Sequence, residues 1–488
     1  MKQTVDCAER LRRNFTPSDR SVVVERFAAD RLELEQKIAE LHRIAVLLAD
    51  AAHDAALLGL DLVHQLHRLE DAERLAGLDR LADEAVCIGP PPANESYLSI
   101  SNVIGAAETT GCQAVHPGYG FLSENPNFVE ACEETGFVFI GPSADLMRRM
   151  GDKSEAKREL QAAGVPLVPG TDALGSLADA ERSVKELGYP ILLKAAAGGG
   201  GKGMRFVSEP SELKGAFQAA KGEAEAAFGD GGLYAERALV PTRHIEVQVL
   251  CDSFGGVLTL GERECSIQRR HQKLIEESPS PALTPELREQ MEQATEHACG
   301  VIGYTNAGTF EFLLSEGEFY FMELNARLQV EHPVSELVTD IDIVREQIRI
   351  AAGEPLELTG RAPRLGHAIE MRLNAEDPSR GFVPTPGRLE RFRPPLGPGV
   401  RIDTFVEEGM EIQPFYDSLL AKLIVQDSDR PATIERALRA LGELRIEGVP
   451  TTVPVIREII DSAEFRSGEY STSFIAEAAG RLPALLRE

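Results

Sequence analysis

The spacing of apolar residues changes along the chain, and the first stretch has helical spacing. Residues 20–80 contain two glycines and no proline, and their apolar positions recur every three or four residues. The recurring positions are Leu41, Ile44, Ala45 and Leu48, followed by Leu58, Leu62, Leu66 and Leu69. This spacing predicts a helical hairpin or two long helices that serve packing or oligomerisation.

After residue 81, short apolar runs alternate with stretches of helical spacing. The runs predict strands at 85–88, 114–116 and 137–140, and the stretches between them predict helices at 99–110 and 127–135. Strands and helices that alternate in this way form parallel βαβ units. We therefore expect a parallel α/β layer here.

The whole pattern predicts a multidomain protein of the α/β and α+β classes. A chain of 488 residues is long enough for two to four domains. We expect an atypical helical segment at 1–80, an α/β domain at 81–150 and a third domain at 151–350. The third domain contains a glycine-rich part at about 166–240. A last domain at 366–477 mixes strands and helices.

A pair of strands carries the strongest candidate chemistry. Residues 309–312 and 319–327 form a predicted hairpin, with Gly317 in the turn between its strands. Side chains alternate along a strand, so Glu323, Asn325 and Arg327 share one face. Glu311 on the neighbouring strand can join them. Two carboxylates and an amide oxygen suit a magnesium site completed by phosphate oxygens. The alternative is a structural salt-bridge ladder with Arg327.

Four consecutive glycines, Gly198–Gly201, form a second candidate site between two predicted strands. Glycine lets backbone N–H groups approach phosphates closely. The flanking Lys194 and Lys202 can neutralise phosphate charge. The pattern lacks the Gly-Lys-Ser/Thr order of a Walker loop. The alternative is a flexible turn.

A third candidate is the segment 262–273, which contains three arginines and one lysine in an otherwise acidic chain. Clustered guanidinium and ammonium groups bind anionic substrate oxygens. The alternative is a solvated, charged turn.

Charge and composition narrow the classes of partner. The formal net charge of −27 argues against a nucleic-acid-binding surface and weakens attraction to anionic membranes. We find no apolar leader and no apolar stretch of the roughly 18 residues that a membrane span needs. Seven scattered cysteines without a C-x-x-C pair suit a reduced compartment. We expect a cytoplasmic protein.

Together, several segments resemble the ATP-grasp fold and, within it, biotin carboxylase, over about residues 81–477. The matching segments are 116–125, 150–153, 198–204, 236–246, 268–273, 323–333 and 370–378. The resemblance implies an ATP-grasp domain, a preceding parallel α/β domain and a C-terminal biotin carboxylase domain. It also implies an ADP-forming ligase of the acetyl-CoA or propionyl-CoA carboxylase type.

The resemblance also implies nucleotide and metal ligands. The nucleotide-binding positions are Lys153, Lys194, Glu236, His244, Gln268 and His271, with Leu239 and Leu313 near the adenine. The loop over the phosphates comprises Gly199, Gly200, Gly201, Lys202, Gly203 and Met204. Glu311, Glu323 and Asn325 match ligands of Mg²⁺ or Mn²⁺, with two ions expected.

Further positions match the carboxylation site. Lys273, Arg327, Gln329 and Val330 match the bicarbonate site, and Glu331 matches the base that deprotonates bicarbonate. Arg372 matches the group that stabilises the biotin enolate, and Tyr119 lies in the segment that approaches the biotin ring. The alternatives are an ion pair of Arg372 with Glu370 or Glu376, and a merely packed Tyr119.

The implied reaction has two steps. Bicarbonate attacks the γ-phosphate of ATP to give carboxyphosphate, which yields carbon dioxide, and biotin N1 takes the carboxyl group. The chain has no Ala-Met-Lys-Met attachment motif. The implied partners are therefore a biotin carboxyl carrier protein, a carboxyltransferase and a second copy of the chain. Another ATP-grasp carboxylate ligase remains an alternative.

The segment before residue 81 departs from the family pattern. It lacks the opening strand and the Asn-Arg-Gly-Glu-Ile-Ala turn. This leaves open a replacement or fusion, an added segment, or a misread gene start. The departure puts the usual dimer in doubt, and a further alternative is therefore a catalytically impaired protein that serves assembly.

Overall fold

The computed structural model describes residues 44–47, 62–63, 86–195, 204–228 and 231–486. The chain divides into two compact units. The large unit comprises the chain up to Gly164, His244–Glu311 and Glu323 onwards, and the small unit comprises Val165–Arg243 and Phe312–Met322. Among the described helices, none has the length and apolar character needed to cross a bilayer.

The helices of the described residues are numbered in chain order. They are α1 (Ile100–Thr110), α2 (Pro126–Thr135), α3 (Ala144–Gly151), α4 (Lys153–Ala162), α5 (Leu177–Leu187), α6 (Leu213–Phe228), α7 (Pro285–Ile302), α8 (His332–Thr339), α9 (Ile343–Ala351), α10 (Arg430–Glu443), α11 (Val453–Asp461), α12 (Ala463–Ser467) and α13 (Phe474–Ala478).

The strands are numbered in the same way. They are β1 (Ile44–Leu47), β2 (Leu62–Val63), β3 (Ala114–His116), β4 (Val138–Phe139), β5 (Ile191–Ala195), β6 (Arg205–Val207), β7 (Leu233–Arg237), β8 (Arg243–Cys251), β9 (Val257–Arg269), β10 (Gln272–Ser278), β11 (Asn306–Ser315), β12 (Glu318–Asn325), β13 (Gly360–Arg361), β14 (His367–Asn374), β15 (Glu376–Asp377), β16 (Val383–Pro384), β17 (Gly387–Arg388), β18 (Arg391–Arg393), β19 (Val400–Thr404), β20 (Glu411–Ile412), β21 (Leu419–Asp427) and β22 (Arg445–Glu447).

A four-stranded parallel sheet with the order β2-β1-β3-β4 opens the large unit. The predicted strands at 114–116 and 137–140 and the predicted helices at 99–110 and 127–135 are confirmed. The hydroxyl of Ser99 caps the first of these helices by accepting a hydrogen bond from the N–H of Asn102, and Gly111, in the left-handed region, ends it.

Two sequence predictions are wrong in this sheet. Helices were predicted for residues 20–80, but the two described segments in this range are the strands β1 and β2. The rest of the range lies outside the described residues. Ile44–Leu47 is a short apolar run, and such a run has no periodicity that distinguishes a strand from a helix. Its parallel pairing with β3 makes it a strand.

The predicted strand at 85–88 is also wrong, since residues 86–88 form no strand. The carbonyl of Ile88 accepts a hydrogen bond from Asn102 Nδ2 at 2.7 Å. The Asn102 side chain thus occupies the Ile88 carbonyl, which a neighbouring strand would otherwise use. Pro90, Pro91 and Pro92 follow, and proline lacks the N–H that donates hydrogen bonds between strands.

The large sheet has the order β12-β11-β8-β9-β10-β14-β21-β19, and β13 pairs with β9. Its two faces differ. On β14, Ile369, Met371 and Leu373 belong to an apolar core shared with α10 and α11. The alternating positions Glu370 and Arg372 face the other way, toward the side covered by α8. The sheet therefore carries charged residues on one face and its main core on the other.

The small unit contains an antiparallel sheet with the order β6-β5-β7. Helices α5 and α6 pack on it through Val184 and Phe217, against Ile191 and Leu193. β5 and β6 are the predicted strands that flank the glycine run. Gly199, Gly200, Gly201, Lys202 and Gly203 themselves lie outside the described residues.

Candidate active site

Lys273, near the start of β10, is the centre of a buried cluster of carboxylates. Its Nζ lies 2.5 Å from Glu246 Oε2 and 3.1 Å from Glu311 Oε1, and it also donates to Glu331 Oε1. Burial lowers the pKa of Lys273, but these three carboxylates raise it well above its ordinary value. The ammonium group therefore stays charged while it neutralises anions from β8, β11 and the turn before α8.

Arg263 on β9 is a second cation beneath the cluster, and it is fully buried. Its Nε lies 2.5 Å from Glu246 Oε1. The terminal nitrogens donate to Gln248 Oε1, Ser335 Oγ, Thr309 Oγ1 and Gln329 Oε1 at 2.8–3.1 Å. A guanidinium with every donor used can be buried at modest cost, and it ties β8, β11 and α8 together.

Glu331 lies directly before α8 and is 2% exposed. Lys273 binds its Oε1, and Arg372 Nη2 donates to its Oε2 at 2.9 Å. Burial raises the pKa of Glu331, but Lys273, Arg372 and Arg263 together hold it well below its usual range. Glu331 is therefore an ionised carboxylate between two cations.

Arg372 on β14 binds two carboxylates, and neither is Glu370 or Glu376. Its Nε donates to Glu276 Oε1 at 2.6 Å, in addition to the contact with Glu331. The predicted alternative of an ion pair with Glu370 or Glu376 is thus wrong. The register of β10 against β14 decides the partner, and a single sequence does not reveal that register.

Glu311 on β11 is the best placed of the predicted metal ligands. Its Oε2 lies 3.2 Å from His244 Nε2, and its Oε1 accepts from Gln329 Nε2 at 2.9 Å. Burial raises the pKa of Glu311, but Lys273 and His244 lower it well below the ordinary value. It is thus an ionised oxygen donor.

The other two predicted ligands lie on β12, which forms the expected hairpin with β11 around Gly317. Glu323 is half-buried, and Asn325 is buried at the strand end. Carboxylate and amide oxygens are the hard donors that Mg²⁺ and Mn²⁺ prefer, so these residues fit such an ion. His244, Glu246 and Glu311 also lie within 4.8 Å of one another, but an imidazole suits magnesium poorly.

Arg327 lies two residues beyond the end of β12, so the predicted strand was too long. Its Nε donates to Glu124 Oε2 at 3.0 Å, and its Nη2 donates to Asn325 Oδ1 at 3.1 Å. Glu124 also accepts from the N–H of Ala326 at 3.0 Å. Arg327 therefore forms its ion pair with Glu124, a carboxylate outside the hairpin.

The remaining predicted nucleotide residues are distributed over both units. In the small unit, Lys194 on β5 forms an ion pair with Glu236 on β7, and Leu239, Met204 and Leu313 are half-buried. In the large unit, Gln268 is buried at the end of β9, and His271 is exposed in the following turn. Lys153 begins α4, and its side chain lies outside the described residues.

Two predicted substrate contacts have structural partners of their own. The Val330 carbonyl accepts from Lys422 Nζ at 3.1 Å. Tyr119 packs against the apolar core that includes Ile140 and Leu250, which agrees with the alternative of a packed aromatic. Its predicted contact with biotin stays a prediction.

Sequence reasoning gave no role to Glu246, Glu276 or Glu124, and it assigned Arg263 only to the basic segment. One signal was present for Glu246, because it lies two residues after His244 and thus on the same strand face. The basic segment 262–273 does not form one cluster: Arg263 and Lys273 reach the carboxylates, whereas Arg269 covers the Phe382 ring and Arg270 is exposed.

Three family models match the chain. Residues 37–147 match the biotin carboxylase N-terminal domain, 152–359 match the carbamoyl-phosphate synthase L chain ATP binding domain, and 370–477 match the biotin carboxylase C-terminal domain. The first match begins well before residue 81, where the sequence motifs begin. The expectation that the resemblance starts at residue 81 is thus wrong.

Similar proteins include biotin carboxylase of Nostoc, which is 54% identical over 82% of this chain and 90% of its own length. Chloroplastic biotin carboxylase of Arabidopsis thaliana is 53% identical over 82% of this chain and 75% of its own length. A crystal structure of the biotin carboxylase domain dimer of Hydrogenobacter thermophilus 2-oxoglutarate carboxylase, in complex with MgADP, ADP and bicarbonate, superimposes with a TM-score of 0.82. That structure is 42% identical and covers 91% of this chain and 98% of its own.

Proposed function

The chain belongs to the biotin carboxylase family, and we propose that it carboxylates carrier-bound biotin with ATP and bicarbonate through carboxyphosphate. It is an ATP-dependent ligase. One observation carries the proposed mechanism: Glu331 is buried and forms ion pairs with Lys273 and Arg372. A carboxylate in this position can act as a base, and the two cations beside it can bind anionic substrates.

Glu331 becomes a useful base only when bicarbonate is present. In the free protein Lys273 and Arg372 lower its pKa, which weakens its basicity. A bicarbonate anion at Lys273 shares the ammonium group with Glu331, so that the cation stabilises the carboxylate less. The pKa of Glu331 then rises toward that of its substrate, and proton transfer from bicarbonate becomes easier.

The deprotonated bicarbonate oxygen then attacks the γ-phosphorus of ATP, and ADP leaves. Lys194 offers its ammonium group to the phosphates, and the loop 199–203 is expected to cover them. Glu311 and Glu323, with Asn325, would hold one or two Mg²⁺ or Mn²⁺ ions. A bound ion supplies positive charge that offsets the charge on the phosphate oxygens.

In the second step, carboxyphosphate decomposes to carbon dioxide and phosphate. The released phosphate takes the proton of biotin N1, and N1 then attacks carbon dioxide to give carboxybiotin. Arg372 uses its Nε and Nη2 for Glu276 and Glu331. Its Nη1 donates to no described residue, so it can bind the ureido oxygen and stabilise the biotin enolate. Tyr119 is the expected neighbour of the biotin ring.

The expected partners are a biotin carboxyl carrier protein, a carboxyltransferase and a second copy of this chain. A related domain is described as a dimer. We propose acetyl-CoA or propionyl-CoA as the final acceptor, although similar chains serve a pyruvate carboxylase and a 2-oxoglutarate carboxylase. Identification of the carboxyltransferase that co-purifies with the chain tests this choice.

Steady-state release of ADP tests the proposed function. With Mg²⁺ and ATP, the chain is expected to release ADP only when bicarbonate is present, and free biotin should stimulate the rate. Glu331→Gln should lower kcat by about 100-fold or more, since a general base contributes factors of this order. Glu443→Gln, in an exposed ion pair, is the matched control.

Three results would contradict this function. Turnover that depends on ammonia would indicate carbamoyl phosphate synthesis, and turnover with another carboxylate would indicate a different ATP-grasp ligase. Binding of ATP without turnover would indicate a protein that serves assembly and is catalytically impaired.

A further inference from the structure

Glu276 on β10 is a buried carboxylate to which the mechanism so far gives no part. It is 0% exposed, and its Oε1 lies 2.6 Å from Arg372 Nε. Arg372 Nη2 lies equally close to the same oxygen and reaches Glu331 Oε2 at 2.9 Å. Two carboxylates thus fix one edge of the guanidinium.

A second buried carboxyl group, Glu370, lies opposite Glu276 in the antiparallel register of β10 and β14. Opposed residues share a sheet face, and Glu370 also shares it with Arg372 two positions on. Neither carboxyl oxygen of Glu370 accepts a hydrogen bond from the described residues. Burial raises the pKa of Glu370 well above its usual value. Burial thus favours the neutral form of Glu370, and neither of its oxygens competes with Glu276 for Arg372.

The charges around this pair come from four places. Lys273 acts from β10 and Arg372 from β14, and Glu331 acts from the turn before α8. Lys422 on β21 lies opposite Arg372 in the strand register; its charge lowers the pKa of Glu370, and its Nζ lies 3.3 Å from Asp403 Oδ2. Burial raises the pKa of Glu276 to about 7, although Arg372 lowers it. The ionisation of Glu276 thus changes near neutral pH.

Glu331 binds Arg372 less tightly once it has acted as the base. When Glu331 takes the proton of bicarbonate it becomes neutral, and its contact with the guanidinium weakens. Among the described residues, Glu276 is the other carboxylate that binds Arg372. We propose that Glu276 is a positioning residue that keeps Arg372 directed at biotin while Glu331 is protonated. This inference rests on the proposed function.

The test compares Glu276→Gln with Glu370→Gln, because each removes one carboxyl group of the opposed pair. With free biotin as substrate, Glu276→Gln in the full chain should lower kcat by about 10- to 100-fold, because a charged contact made during the reaction is lost. The KM for ATP should stay within about twofold of the wild-type value. Glu370→Gln resembles the neutral acid and should stay within about threefold of wild type.

The pH profile separates positioning from a structural role. For wild type, kcat/KM for biotin should fall as pH drops below about 7, because Glu276 becomes protonated and releases Arg372. Glu276→Gln should lack this part of the profile. Unchanged kcat in Glu276→Gln, or an equal loss in both variants, would overturn the inference.

If Glu276→Gln does not fold, Glu276→Asp replaces it. The shorter carboxylate keeps the charge but withdraws from Arg372, so kcat should still fall by about tenfold. Wild-type activity of Glu276→Asp would overturn the inference. A wild-type chain that shows no bicarbonate-dependent ADP release would instead refute the proposed function, and this inference with it.

Discussion

At the scale of single residues, Lys273 is the shared cation of Glu246, Glu311 and Glu331. Lys273→Met would leave three carboxylates facing one another in a buried site. We expect the free energy of unfolding to fall by about 3–5 kcal/mol, as when one partner of a buried ion pair is removed. Urea denaturation measures this loss.

The matched control is Arg439→Ala. Its partner Glu443 lies one turn along α10, and both side chains are more than 40% exposed. Such pairs contribute about 0.5 kcal/mol or less. Equal losses in the two variants would contradict the buried cluster.

The lowered pKa of Glu277 makes the free energy of unfolding depend on pH. Burial raises its pKa, but His367 and Arg430 lower it by more, so that the pKa falls to about 2. The lowered pKa means that this stabilisation is complete above the unfolded value of 4.5 and is lost as pH falls from 4.5 toward 2. It amounts to about 3 kcal/mol. Glu277→Gln should flatten the unfolding free energy across that range, and an unchanged acid limb would contradict the prediction.

Sequence reasoning identified side chains more readily than their partners. Glu311, Lys273, Gln329, Glu331 and Arg372 came from one hairpin and a family resemblance, and the structure brings them together. Their counter-ions Glu246 and Glu276 lie on strands β8 and β10. Only the register between strands shows which charges meet, and a single sequence does not contain that information.

At the scale of elements, the strand β11, which contains Glu311, packs closely against Tyr304 at Gly308. A Cβ at Gly308 would come within 2.4 Å of the Tyr304 ring. Gly308→Ala should therefore lower the free energy of unfolding by about 1–3 kcal/mol, the usual cost of overpacking, and it should also lower activity. Thermal unfolding and ADP release measure both effects.

Gly300 in α7 is the matched control, because a Cβ there meets nothing within 4 Å. Gly300→Ala should raise stability by about 0.5–1 kcal/mol, since alanine favours the helix. A loss of stability at Gly300 similar to that at Gly308 would show that contact with Tyr304 is not the cause.

Among elements, helices with caps were predicted best. Ser99 and Asn125 cap α1 and α2, and both helices end at glycine, close to the predicted bounds of 99–110 and 127–135. The failures at β1 and at residues 86–88 have one cause. A short apolar run does not determine its structure, which depends on whether a neighbouring strand pairs with it.

At the scale of the whole molecule, binding of nucleotide should stabilise the folded chain. A ligand at about 100 times its Kd adds about 2.7 kcal/mol to the free energy of unfolding. MgATP should therefore raise Tm, and Lys194→Met should reduce the rise because the phosphates lose a cation. A rise in Tm for Lys194→Met equal to that of the wild type would exclude Lys194 as a phosphate ligand.

Removal of the metal with EDTA should abolish turnover.

The most direct test follows the carboxyl group itself. Wild-type chain is incubated with labelled bicarbonate, MgATP and free biotin, and the products are separated under alkaline conditions. Label in carboxybiotin, formed only with ATP and lost in Glu331→Gln, is the expected result. Release of ADP without label in biotin would contradict the assignment of Glu331, Lys273 and Arg372 to biotin carboxylation.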